Sequence, residues 1–77
     1  MPKITVRYFA SLREQLGRGE EQVDAAGIGC VADIWSRVCA MPLPANTLVA
    51  INQEYASPAS VVRAGDEVAF FPPVTGG

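Results

Sequence analysis

Residues 3–10, Lys-Ile-Thr-Val-Arg-Tyr-Phe-Ala, alternate along the chain. Ile4, Val6 and Tyr8 point one way and Thr5, Arg7 and Phe9 the other, which is the period of two of a half-buried strand. The even set is the natural core face, so Phe9 falls on the side shared with Arg7, either partly covered or offered to a partner. Ser11-Leu12-Arg13-Glu14 has capping-box spacing, with Ser11 and Glu14 three apart. Leu12 and Leu16 share one face, and Gly17 is a stop signal, so one or two helical turns are expected here. Glu20 to Asp24 reads as a second strand around Val23, and Ala25 to Gly29 as a loop.

The strongest helix pattern follows. Val31, Ile34, Trp35, Val38 and Cys39 fall at i, i+3, i+4, i+7 and i+8, with Asp33, Ser36 and Arg37 on the other face. A Trp among branched aliphatics on one stripe is a core face rather than a cofactor box. Pro42 and Pro44 end the helical pattern. Thr47 to Ile51 is a short apolar strand, Asn52-Gln53 a turn, and Tyr55 lies in a short return strand. Ala64-Gly65-Asp66 is a second tight turn. Glu67 to Phe71 is the last strand, closed by Pro72-Pro73, which cannot donate to a ladder.

One helix then has to cover one face of the sheet. The pattern predicts an α+β ubiquitin-like β-grasp: a mixed four- to five-stranded sheet with one main helix packed on one face. The first and last strands are expected as central neighbours. Their parities let Phe9 and Phe71 share the face away from the helix.

Composition narrows the function more than the fold. Seventy-seven residues predict one domain, 1–77, with a flexible tail over residues 74–77. Hydrophobic residues are 49% and charged residues 18%, a globular balance. The net charge of −2 comes with no basic cluster, which argues against nucleic acid as the main partner. No apolar run approaches the roughly 20 residues of a membrane span, and no signal-peptide pattern opens the chain. A cytoplasmic protein without a membrane partner is expected. There is no His, and Lys3 is the only lysine, so Ser-His and Cys-His nucleophile pairs cannot be built. Two cysteines without His do not supply a zinc site.

Cys30 and Cys39 are nine positions apart. On one helix they would lie on opposite faces, roughly 13 Å apart along the axis, beyond the about 7 Å between Cα atoms that a disulfide spans. Cys30 near a helix start is a candidate reactive thiol. The plainer reading of both is a small hydrophobe in a reducing compartment.

The remaining chemistry lies at the end of the sequence, Phe71-Pro72-Pro73-Val74-Thr75-Gly76-Gly77. Two prolines stiffen the exit from the last strand. The four residues beyond Pro73 reach roughly 13 Å when extended. Two glycines remove side-chain bulk, so such a tail can enter a narrow channel in another protein. Gly77 also presents an unhindered carboxylate, which becomes reactive once an oxygen is converted to a leaving group. The plainer reading is a frayed terminus.

Three stretches resemble a known family, the small sulfur-carrying subunit of molybdopterin synthase. They are Val6-Arg7-Tyr8-Phe9-Ala10 through Leu12-Arg13-Glu14 and Gly17, then Val49-Ala50-Ile51-Asn52-Gln53, then Gly65-Asp66-Glu67-Val68-Ala69-Phe70-Phe71 through to Gly77. The last is highly specific; residues 18–47 match only in outline. Cys30 stands where the family often has Ser or Thr, a cap weaker by about 0.5–1 kcal/mol. Ala64 replaces a common acidic residue.

The resemblance implies a subunit that is not catalytic alone. An ATP-dependent activating enzyme adenylates the carboxylate of Gly77, and a sulfur donor protein displaces AMP to leave a thiocarboxylate. The charged carrier then docks on the large synthase subunit, in a heterotetramer, and gives sulfur to a cyclic pyranopterin monophosphate. That step helps form the dithiolene of the molybdenum cofactor. No permanently bound cofactor is implied, only the transient acyl-adenylate and thiocarboxylate. Phe9, Tyr55 and Phe71 are candidates for the docking face, and Pro72, Pro73, Val74, Thr75 and Gly76 for the partner-bound tail. For each aromatic the alternative is ordinary packing under a loop. Rival readings are a sulfur carrier of the thiamine type, a ubiquitin-like modifier joined to lysines through Gly77, and a passive interaction domain with an idle tail.

Overall fold

The computed structural model describes residues 2–39, 41–44 and 46–72. The expectations for Pro73, Val74, Thr75, Gly76 and Gly77, and for a flexible tail over 74–77, lie outside the described residues.

The chain runs β1 (Lys3–Tyr8), α1 (Ala10–Leu16), β2 (Glu20–Asp24), α2 (Val31–Val38), β3 (Leu48–Ile51), β4 (Glu54–Ala56) and β5 (Glu67–Phe71). The strands form one sheet in the order β2-β1-β5-β3-β4. β1 and β5 are parallel at its centre, with Val6 opposite Val68 and Tyr8 opposite Phe70. The other three pairings are antiparallel. The sheet is therefore mixed and five-stranded, and the first and last strands are neighbours as the pattern predicts.

Alternation in the strands does the sorting. Ile4, Val6, Tyr8, Val23, Val49, Val68 and Phe70 are buried beneath Val31, Ile34 and Trp35 of α2, with Leu12 and Val62 at the margins. Phe70 is the hub. Trp35 meets it edge-on at 5.1 Å between centroids, and Tyr8 stacks on it at 6.1 Å. The phenol of Tyr8 donates to Glu21 Oε2 at 2.6 Å, and Arg18 Nε reaches the same oxygen at 2.7 Å. Burial first, and the Glu21 carboxylate next, push the Tyr8 ionisation up out of any physiological range.

Local details depart from the pattern. Ser11 does not cap α1. The N-cap is Phe9, and the side chain of Ser11 has no capping role. Phe9 still takes part in the sheet, its N–H donating to the Phe70 carbonyl at 3.2 Å. Ala10 then turns the chain with a φ of 51°, and the Phe9 carbonyl accepts the N–H groups of Leu12 and Arg13. Pairing at the end of β1 thus sets the helix start. Gly17 ends α1 with a φ of 71°, as expected.

The two cysteines bracket α2 rather than sitting within it. Cys30 is its N-cap and Cys39 its C-cap, both free thiols. The weak cap at Cys30 is offset from inside the helix. The Asp33 carboxylate accepts the N–H groups of Gly29 at 2.9 Å and Cys30 at 3.2 Å. α2 ends at Val38, before Pro42, where Arg18 Nη2 donates to the Val38 carbonyl at 2.7 Å. The indole Nε1 of Trp35 donates to the Met41 carbonyl at 2.8 Å, folding the exit back over the helix.

Candidate functional site

Helix α2 covers only one side of the sheet. Outward parity on the other side belongs to Thr5, Arg7, Ala50, Tyr55, Glu67, Ala69 and Phe71. Phe9, one residue past β1, joins them. Its ring stacks on Phe71 at 4.7 Å between centroids with an interplanar angle of 11°. The expected sharing of a face by Phe9 and Phe71 is therefore direct contact. Phe9 remains 37% exposed, so the stack is a surface feature and not a second core. Tyr55 lies on the same side, on edge strand β4, and is 83% exposed. Pro72 follows Phe71 directly, so the chain leaves the sheet from the foot of this stack.

Arg7 holds the face together across three strands. Its Nε lies 3.2 Å from Glu20 on β2, an Nη 3.7 Å from Glu67 on β5, and its guanidinium 5.9 Å from the centre of the Phe9 ring. The ion pairs are exposed and contribute little energy singly. Together with the cation–π contact they orient Phe9.

The floor between the aromatics is low. Ala50 and Ala69 are direct partners across β3 and β5. Around them lies a hollow of about 200 Å³ walled by Phe9 and Phe71. A second hollow of about 260 Å³ lies between Phe71 and Tyr55. Ala50, Gln53 and Phe71 line both.

Gln53 belongs to the β3–β4 turn. Ile51 pairs with Glu54, leaving a two-residue loop whose central residues both have positive φ, 50° at Asn52 and 71° at Gln53. Asn52 is anchored on three sides. Its N–H donates to the Glu67 carbonyl, its Oδ1 accepts the Glu67 N–H at 3.0 Å, and its Nδ2 donates to Asp66 at 3.1 Å. With Asn52 fixed, Gln53 has to follow the left-handed path.

Sequence reasoning named Phe9, Tyr55 and Phe71 as docking candidates, and alternation set Arg7 beside Phe9 and Ala69 beside Phe71, but it did not mark Arg7, Ala50, Gln53 or Ala69 as candidates. Strand alternation carried a signal for Arg7. The alanines had only their outward parity to mark them.

Five strands in this order, with the first and last parallel at the centre and a helix across one face, define a ubiquitin-like β-grasp protein. Its exposed aromatic face lies at the exit of the last strand. The chain belongs to the ThiS family, whose model matches residues 6–77. It is 39% identical to the molybdopterin synthase sulfur carrier subunit of Haemophilus influenzae, over 96% of this chain and 99% of the relative. Among solved structures, the small archaeal modifier protein 1 of Haloferax volcanii superposes with a TM-score of 0.79 at 28% identity, covering 96% of this chain and 100% of that one. A chain in the complex of subunits 1 and 2 of the Helicobacter pylori molybdopterin-converting factor shares the fold, with a TM-score of 0.66 at 16% identity. It covers 97% of this chain and 99% of its own length.

Among the described residues, no helix is long and apolar enough to cross a membrane.

Proposed function

We propose that this chain is the sulfur carrier subunit of a molybdopterin synthase. The observation that carries the reading is the 39% identity to a protein of that name over nearly the full length of both chains. The aromatic face at the foot of the Gly-Gly segment supports it, because it lies where a protein receiving the tail has to make contact.

The chemistry proceeds at the main chain. A carboxylate oxygen of Gly77 attacks the α-phosphorus of ATP on an activating enzyme, and pyrophosphate leaves. A sulfide-level sulfur donor attacks the acyl carbon, and AMP leaves. The resulting thiocarboxylate is delivered to the large synthase subunit, where its sulfur attacks a carbon of a cyclic pyranopterin monophosphate and displaces an oxygen substituent, and water then cleaves the acyl–sulfur bond to restore the Gly77 carboxylate. Glycine at the last position leaves the acyl carbon open to each attack. The carrier, with no His and one Lys, leaves the gripping of a phosphorylated substrate to its partner. Phe9, Phe71 and Tyr55 form the docking face, since aromatic anchors commonly carry interface energy. Pro72, Pro73, Val74, Thr75 and Gly76 form the inserted stalk.

The likeness to an archaeal protein named as a modifier favours a second reading, in which activated Gly77 is joined to lysine amines. One experiment separates the two. The chain is incubated with its activating enzyme, ATP and a sulfur source, and its intact mass is measured. Exchange of one oxygen for sulfur at Gly77 is the expected result. Amide adducts on other proteins, without that exchange, would establish the modifier reading instead.

A further inference from the structure

Three residues on the open face are poor choices for the sheet that holds them. Ala50 and Ala69 face each other across the central strands β3 and β5, where β-branched residues are better strand formers. Gln53 occupies the second central position of a two-residue hairpin turn at a φ of 71°, where glycine is favoured. All three line the same hollow of about 200 Å³. When several local choices run against propensity at one place, function is the usual reason. Larger residues at 50 or 69 would fill the hollow, and glycine at 53 would remove one polar side chain from its rim.

The occupant follows from chain length. Gly77 is the sixth residue beyond Phe71, the wall of the hollow. Fully extended, that stretch spans at most about 20 Å. A protein that takes Gly77 into its active site is therefore held within about 20 Å of the Phe9–Phe71 stack and the hollow beside it. We infer that Ala50, Ala69 and Gln53, with the Phe9–Phe71 wall, form a preformed socket for one apolar anchor side chain of the large synthase subunit. This rests on the proposed function above and deepens it. The socket is shallow and its rim is polar, with Arg7 paired to Glu67 and the Gln53 amide beside them. It suits a single projecting Leu, Met or Phe on an otherwise polar patch, the usual form of an interface hot spot.

The test uses the full 77-residue chain and the purified large subunit, with dissociation constants from calorimetry and melting temperatures for every variant. Ala50→Val and Ala69→Val are expected to keep or raise the melting temperature while weakening binding by about tenfold or more, as when a central anchor is excluded. Gln53→Gly is expected to raise the melting temperature and weaken binding. If Ala69→Val fails to fold, Ala50→Val and Gln53→Gly carry the same test. Phe71→Ala reports on docking as such, and is expected to weaken binding more than it lowers the melting temperature. If it weakens binding while the valine variants bind within about twofold of wild type, the socket is wrong and the docking face stands. If Phe71→Ala also binds normally, both are overturned.

Discussion

Asp33 secures the start of α2 from inside the helix. Its carboxylate is held below the usual range, first by the Gly29 N–H, then by the Cys30 N–H. In the unfolded chain the same group titrates in the ordinary carboxylate range. Between those two values the unfolded chain binds a proton that the folded chain does not. The stabilisation is therefore complete above the ordinary carboxylate pKa and is lost as pH falls through the lower, folded value. Asp33→Asn keeps an oxygen acceptor and removes the charge. The variant should be less stable than wild type at neutral pH, with the gap closing in acid. Urea midpoints across that pH range would show it. A gap independent of pH would mean that the charge has no part in the cap.

At the scale of elements, α2 and the sheet are joined mainly through Trp35. It fills the space over Phe70 and also donates to the Met41 carbonyl. Trp35→Ala should cost about 3–5 kcal/mol by denaturant unfolding. A domain of this length has a total stability of about 4–12 kcal/mol, so the variant approaches the unfolding threshold. These elements were readable because periodicity reports burial directly. Ile4, Val6 and Tyr8 mark one face of a strand, and Val31, Ile34 and Trp35 one stripe of a helix. Where the chain obeyed a distant contact, local spacing misled. Ser11 and Glu14 look like a cap, yet the start of α1 is set by Phe9 pairing with Phe70 near the other end of the sequence. The candidate site divides in the same way. Phe9 and Phe71 were visible as outward aromatics. The hollow between them exists only once Ala50 and Ala69 are brought side by side, and an alanine read alone carries no sign of that. The strain at Gln53 is likewise imposed by Asn52 gripping Glu67 across the sheet.

At the scale of the molecule, the proposed function gives folding and chemistry to different parts of the chain. The described core is complete by Phe71, and the proposed reactive carbon lies beyond it. Deleting Gly77, or adding one residue after it, should abolish sulfur transfer in a reconstituted synthase assay and leave the melting temperature unchanged. Retained transfer would place the chemistry elsewhere. The sheet has a further consequence through its order. Among the described residues β1 pairs with β2 and β3 with β4, and β5 is the strand that joins the two pairs. During translation the first strand is made early and waits for its parallel neighbour, a distant pairing of the kind that slows folding. A chain cut short of β5 lacks the strand that carries Ala69 and Phe71, and with it the floor of the hollow and the aromatic stack. The face that a partner would meet is thus built from the same strand that leads to the proposed reactive end.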